Sequence, residues 1–188
     1  MRAMPRFDQF GVIAPFTERM VLPPLPGPLL ELLVLAPGMD VLDAGGGTAR
    51  VATVAAHAGA RLTVADLTQA AAHKAARSRA AGERLPFPDA SFDRVLMVDA
   101  LHRIRNQQQA VKELFRVLRP AGRLLIEEPD VDQFGVKLLA LGEKLLHFHS
   151  HFLSRKGILA LFSNAPSARV TLRCEDSMLW LLVEKVTG

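Results

Sequence analysis

The sequence predicts an α/β fold: a doubly wound, mostly parallel sheet with helices on both faces and an antiparallel strand at its carboxyl-terminal end. Three observations carry this. Short aliphatic runs, "MDVLDA", "RLTVAD", "RVLMVDAL" and "RLLIEEPD", alternate with helix-patterned stretches, and such alternation builds parallel sheets covered on both faces. The first run ends in "DAGGG", a strand-to-helix turn rich in the residue that loses most freedom on folding. At the far end, "ARVTLRCED" and "MLWLLVEKV" follow each other with no helix between them, which fits an antiparallel edge.

Composition bounds the rest. A chain of 188 residues, 49% hydrophobic, buries one sizeable core. Its single cysteine, Cys174, rules out an internal disulfide and fits a reducing cytoplasm. No basic-then-apolar leader opens the sequence, so no secretory signal is expected. The most apolar stretch, 21–39, holds five prolines and Glu31 and is not expected to span a membrane. The formal charge of +4 and pI near 9.7 raise the question of nucleic acid. The arginines are scattered among acids, however, and no Tyr with one Trp leaves few stacking platforms. The charge reads as a mildly basic solvated surface, with no nucleic-acid partner.

Residues 1–26 read as an N-terminal arm or cap, because the proline-rich "LPPLPGP" sets "FDQFGVIAPFTERM" apart as a stiff linker would. The main domain spans 27–188. Pro28 opens a helix, "PLLELLVLA", which Pro37-Gly38 stops. "MDVLDA" is a short buried strand, and "ARVATVAAHAGA" a helix closed by Gly59. "RLTVAD" is the second strand. "TQAAAHKAARSRAA" favours helix through its alanines, with Thr68 as N-cap. A turn-rich loop, "LPFPDASFD", leads into the strand "RVLMVDAL". "NQQQAVKELFRVL" is an amphipathic helix with Val111, Leu114, Phe115 and Leu118 on one face and Asn106 as its cap. "RPAG" breaks it, and "RLLIEEPD" is the next strand. A long helix, "VKLLALGEKLLHFHSHFL", and a short one, "RKGILALF", precede the terminal strand pair.

In such a sheet, ligands bind beyond the carboxyl ends of the strands. A dinucleotide turn would read G-x-G-x-x-G/A, but counted from Gly45 and Gly47 the last position is Arg50. That disfavours a nicotinamide-dependent oxidoreductase. Asp43, just before the glycines, suits a cation better than a pyrophosphate. Asp66, ending the second strand, suits the two hydroxyls of a ribose. A ribose with an ammonium and no phosphate describes S-adenosylmethionine.

These residues resemble the class I S-adenosylmethionine-dependent methyltransferases, and most of all the branch of the ubiquinone and menaquinone biosynthesis methyltransferases. "VLDAGGGTA" is similar to that family's D-x-G-x-G-x-G turn and "VADLT" to its ribose-binding acid. "ERLPFPDASFDRVLMVDALH" resembles its loop and fourth strand, and "ELFRVLRPAGRLLIEEP" its helix and fifth strand. The resemblance implies a Rossmann-like, seven-stranded sheet ordered 3-2-1-4-5-7-6 with strand 7 antiparallel, S-adenosyl-L-methionine as cofactor, and methyl transfer to a small-molecule acceptor. It further implies that Asp43, Ala44, Gly45, Gly46 and Gly47 hold the amino-acid part and Asp66 the ribose. Leu67, Glu83 and Leu85 would contact the adenine, with Met97 and Val98 beside the cofactor. His102, in "DALHRI", matches a family histidine near the methyl group, where it either acts as the catalytic base or shapes the pocket. Asp99, three residues earlier, either orients it or caps the next turn.

The departures point the other way. Ala49 replaces the last glycine of the turn, Ala81 falls where the family places an acid near the adenine amino group, and "RSRAAGE" is too polar for a buried strand. An eroded third strand is therefore expected, and a non-catalytic or regulatory binding protein is the alternative. "HFHSH" places His147 and His151 on one helix face, but no carboxylate completes a zinc motif and no metal is expected. Of Glu127 and Glu128, one is expected to face the substrate space and the other solvent. Phe10, Phe16 and Phe134 are candidates to line an apolar pocket.

Overall fold

A computed structural model describes residues 27–45, 49–65, 84–133, 135–137 and 151–186. The elements are helix α1 (Gly27–Leu33), strand β1 (Asp40–Asp43), helix α2 (Ala49–His57), strands β2 (Arg61–Val64) and β3 (Phe92–Val98), a short 3-10 turn (Leu101–Arg103), helix α3 (Gln107–Val117), strand β4 (Leu118–Pro129), helix α4 (Arg155–Ala160), and strands β5 (Ala168–Glu175) and β6 (Met178–Lys185). The strands form one sheet in the order β2-β1-β3-β4-β6-β5. β1 pairs in parallel with both β2 and β3, and β3 in parallel with β4. β6 runs antiparallel to β4, and β5 antiparallel to β6. This is the expected order for six strands. The sequence read as the eroded third strand, and the arm 1–26, lie outside the described residues.

Two apolar layers cover the sheet, and the period of two along each strand sorts its residues between them. Val95 and Met97 of β3 join Leu42, Leu124, Ile126 and Leu181 under α3. Leu96 and Val98 join Val41, Leu125, Trp180 and Leu182 with α1 and Val51. β1, β3 and β4 are thus buried on both sides, which is why they read as nearly unbroken aliphatic runs.

Local chemistry sets the boundaries. Asn106 accepts the Gln109 N–H at 3.1 Å, the N-cap read from sequence. At the other end of α3 the Lys185 ammonium donates to the carbonyls of Phe115 (2.9 Å) and Leu118 (2.8 Å), satisfying groups the helix leaves open. Strand pairing resumes at once, at Leu118, so "RPAG" is an irregularity inside β4 rather than a separating loop. Gly122 is needed there, since a Cβ would lie 2.8 Å from the Arg119 carbonyl.

Two predicted helices are shorter than expected. α1 ends at Leu33, and Val34 turns left-handed at φ 47°. Arginines from the sheet take its terminal carbonyls: Arg94 bonds those of Leu33 (2.6 Å) and Val34 (3.2 Å), and Arg123 that of Leu32 (2.9 Å). The long helix predicted over 136–153 does not reach its expected end, because 151–154 are non-helical. There the His151 N–H donates to the His102 carbonyl at 2.6 Å, a tertiary bond in place of a helical one. His151 therefore does not share a helix face with His147, which lies outside the described residues with His149. The β5–β6 hairpin closes through Asp176 (φ 48°) and Ser177 (φ 64°), the two positive φ values of a type I′ turn.

Candidate active site

Because β1, β3 and β4 run parallel, their carboxyl ends share one edge of the sheet. Register sets Asp43 beside Leu96, and Val98 beside Glu127. The sheet order reverses between β1 and β3, the switch point at which such folds open a crevice.

The turn after β1 is built from its own aspartate. The Gly45 N–H donates to Asp43 Oδ1 at 3.1 Å, and the Ala44 N–H to the Leu96 carbonyl at 2.8 Å. Asp43 is only 3% exposed. A Cβ on Gly45 would lie 2.9 Å from the Ala100 methyl and 3.3 Å from the Val98 carbonyl. What crowds this glycine is the exit of β3, so the protein's own packing is enough to forbid a side chain at this position. Gly46 and Gly47 lie outside the described residues, as do Asp66, Leu67 and Glu83.

The exit of β3 is held by β4. Asp99, left-handed at φ 50°, donates its N–H to the Glu127 carbonyl at 2.9 Å. Glu128 reaches across: Oε1 accepts the N–H groups of Ala100 (3.0 Å) and Leu101 (2.6 Å), and Oε2 meets His102 Nδ1 at 2.7 Å. No side chain of the turn itself caps the Leu101–Arg103 helix; a carboxylate from the neighbouring strand does. Both Glu127 and Glu128 are buried, so neither faces solvent as expected. The alternation does send them to opposite faces, but both faces are covered at this edge. Asp99 is also not the residue that orients His102. Its Oδ1 stands 3.9 Å from Nδ1, beyond hydrogen-bond reach.

His102 is 4% exposed, its ring stacked on Phe152 with centroids 4.5 Å apart and planes 9° from parallel. Nε2 accepts from Arg103 Nε at 3.2 Å, and Arg103 Nη2 approaches Asp99 Oδ2 at 3.4 Å. Burial by itself pushes the imidazole pKa down. The charge and hydrogen bond of Glu128 outweigh that, Asp99 adds to them, Arg103 opposes, and the net result is a pKa above the ordinary histidine value.

The segment 151–154, just before α4, closes onto this cluster. Gln107 Nε2 bridges the carbonyls of Leu101 (3.0 Å) and His151 (2.7 Å). A cavity of about 10 Å³ remains between His102, Glu128, Gln107 and Leu153, room for about one water. Asp130, 1% exposed, anchors α4 by accepting from Arg155 Nη2 (2.6 Å) and Nε (3.1 Å).

Phe10, Phe16 and Phe134 lie outside the described residues, and the remaining candidates are core residues. Met97 and Val98 lie in the two opposite apolar layers. Leu85 is 2% exposed, its N–H donating to Glu113 Oε2 at 3.0 Å. Among the described residues no group of His, Cys, Asp or Glu could hold a metal ion.

The sheet order, its antiparallel end and the acid-and-glycine turn at the switch point define the fold class of the class I methyltransferases. Residues 42–126, from within β1 through most of β4, match the family described as the methyltransferase domain. The chain is 40% identical over 101 residues to demethylmenaquinone methyltransferase from Mycobacterium tuberculosis. That match takes in 51% of this chain and 43% of the relative, so the chain spans less than half of the relative's length. Among solved structures it is similar to a SAM-dependent methyltransferase from Aquifex aeolicus (TM-score 0.58, 17% identity, 86% of this chain and 94% of that one). It is also similar to geranyl diphosphate C-methyltransferase from Streptomyces coelicolor in complex with S-adenosyl-L-homocysteine (TM-score 0.61, 15% identity, 84% and 77%). At those identities the likeness is one of fold.

Proposed function

We propose that this chain is an S-adenosylmethionine-dependent methyltransferase of small molecules, working in the cytoplasm. The observation that carries the reading is Asp43: a buried carboxylate at the end of β1, on the switch point, with Gly45 folded back onto it. The edge around it carries further acids, with Asp99 following β3 and Glu127 near the end of β4. Such a donor set fits a ligand carrying ammonium and sulfonium charges and repels a pyrophosphate. When bound, S-adenosylmethionine supplies an activated methyl group on a good leaving group.

The residues have three tasks. Asp43 receives the ammonium, while Gly45 lets the turn sit against the β3 exit. Asp66 binds the ribose, on the strength of the family resemblance. His102 takes the acceptor's proton through Nε2. Most of the acceleration then comes from aligning acceptor and methyl group, which positioning alone supplies. The relative's name makes demethylmenaquinone the first acceptor to try.

The test is incubation with methyl-labelled S-adenosylmethionine and reduced demethylmenaquinone, followed by other phenols and quinols. Labelled product with equimolar S-adenosylhomocysteine supports the assignment. Tight cofactor binding with all label retained across the panel supports a binding protein instead.

A further inference from the structure

We propose that Glu128 is the positioning residue of this site: it fixes His102 in the tautomer whose Nε2 lone pair receives the acceptor's proton. The proposal rests on the methyltransferase reading above, but its geometry stands on its own. A carboxylate oxygen 2.7 Å from Nδ1 requires a proton on Nδ1. The Arg103 Nε–H, which can only donate, sits 3.2 Å from Nε2 and requires a lone pair there. One carboxylate thus sets the ring's tautomer with Oε2 and, with Oε1, fixes the turn that carries the ring.

The ring's other neighbours complete the device. Phe152 stacks on one face and sets the ring plane. The charged and titratable groups around it are Glu128 from β4, Asp99 and Arg103 from the turn, and His151 from the docked segment, whose N–H bonds the His102 carbonyl. Arg103 is the exposed member, with a side chain 41% accessible and Asp99 within reach. Its Nε–H marks where an acceptor's X–H would donate. When that X–H replaces it, the acceptor's electron pair forms the X–CH3 bond and the S–CH3 pair stays on sulfur. The proton passes to Nε2, leaving an imidazolium that Glu128 stabilises. The products are methylated acceptor, S-adenosylhomocysteine and protonated His102, so charge and atoms balance.

The experiment is nitrogen NMR on protein labelled with 15N-histidine, assigned with His102→Asn and titrated with pH. In the wild type the neutral ring is expected protonated on Nδ1, with an apparent pKa above that of a free histidine. Glu128→Gln keeps a carbonyl for the Ala100 and Leu101 N–H groups but turns an amide N–H2 toward Nδ1. That substitution is expected to move the proton to Nε2 and lower the pKa. It is also expected to cut kcat at least ten-fold in the label-transfer assay, with the acid limb of its pH profile displaced and S-adenosylhomocysteine affinity unchanged. A wild-type ring protonated on Nε2, or a Glu128→Gln ring with unchanged tautomer, overturns the proposal. Should Glu128→Gln not fold, the wild-type tautomer alone decides. Absence of S-adenosylhomocysteine binding to the wild type would defeat the methyltransferase reading without altering the tautomer result, so the two failures are distinguishable.

Discussion

Gly45 shows how one residue type answers to the chain's own packing. Its missing Cβ leaves room for the Ala100 methyl, 2.9 Å from where that Cβ would be. Gly45→Ala should therefore destabilise the fold by about 1–3 kcal/mol, the usual cost of forcing a methyl into a packed site. Ala100→Gly in the same chain should recover much of it, with a coupling above about 0.5 kcal/mol in a double-mutant cycle read by denaturant unfolding. Strictly additive effects would contradict this packing. His102 makes a second prediction at the same scale. Its folded pKa is raised by Glu128 against the opposing effect of burial. The folded state therefore binds the proton more tightly than the unfolded chain. The stabilisation is complete below the unfolded value of about 6.5 and is lost as pH rises through the raised folded value. Urea titrations of the wild type should show stability falling across that window, and His102→Gln should flatten the fall.

Elements were legible where the signals are local and illegible where a distant residue decides. Asn106 announces the start of α3 because a cap acts within three residues. The end of α1 could not be read, because Arg94 and Arg123, which take its last carbonyls, come from strands far along the chain. The prediction of helix through His151 failed for the same reason: His151 is held out of helix by His102 and Gln107. Helical periodicity carries no sign of such partners. The β5–β6 hairpin was read as a strand pair, but its turn lacks the Asn-Gly signature, and Asp176 and Ser177 adopt positive φ without a glycine. Ser177→Gly should relieve a left-handed side chain. A gain of about 0.5–1 kcal/mol is expected after the added freedom of glycine in the unfolded state is subtracted. For a chain of this size that is roughly 2–4 °C in Tm per kcal/mol, measurable by calorimetry. No gain would mean the turn is held by contacts that override backbone preference.

At the scale of the molecule, strand alternation and the terminal strand pair were enough to predict a mostly parallel sheet with an antiparallel edge, because runs buried on both faces mark parallel strands. The strand order seen here was implied by the family resemblance. The site was only half legible. Asp43 and the glycines declare themselves by adjacency in sequence, whereas Glu128 and His102 meet only because β3 and β4 are neighbours. The sequence placed Glu128 at the correct edge of the sheet but could not name its partner. The functional reading requires that the edge around Asp43 bind S-adenosylmethionine. Calorimetric titration with S-adenosylhomocysteine tests it most directly, without requiring the methyl acceptor to be known. One-to-one binding is predicted, with Asp43→Ala weakening it roughly ten-fold or more, as expected for loss of a charge-assisted contact. NAD and NADP should give no heat. Binding of NAD, or no binding of S-adenosylhomocysteine at millimolar concentration, would rule out this cofactor assignment.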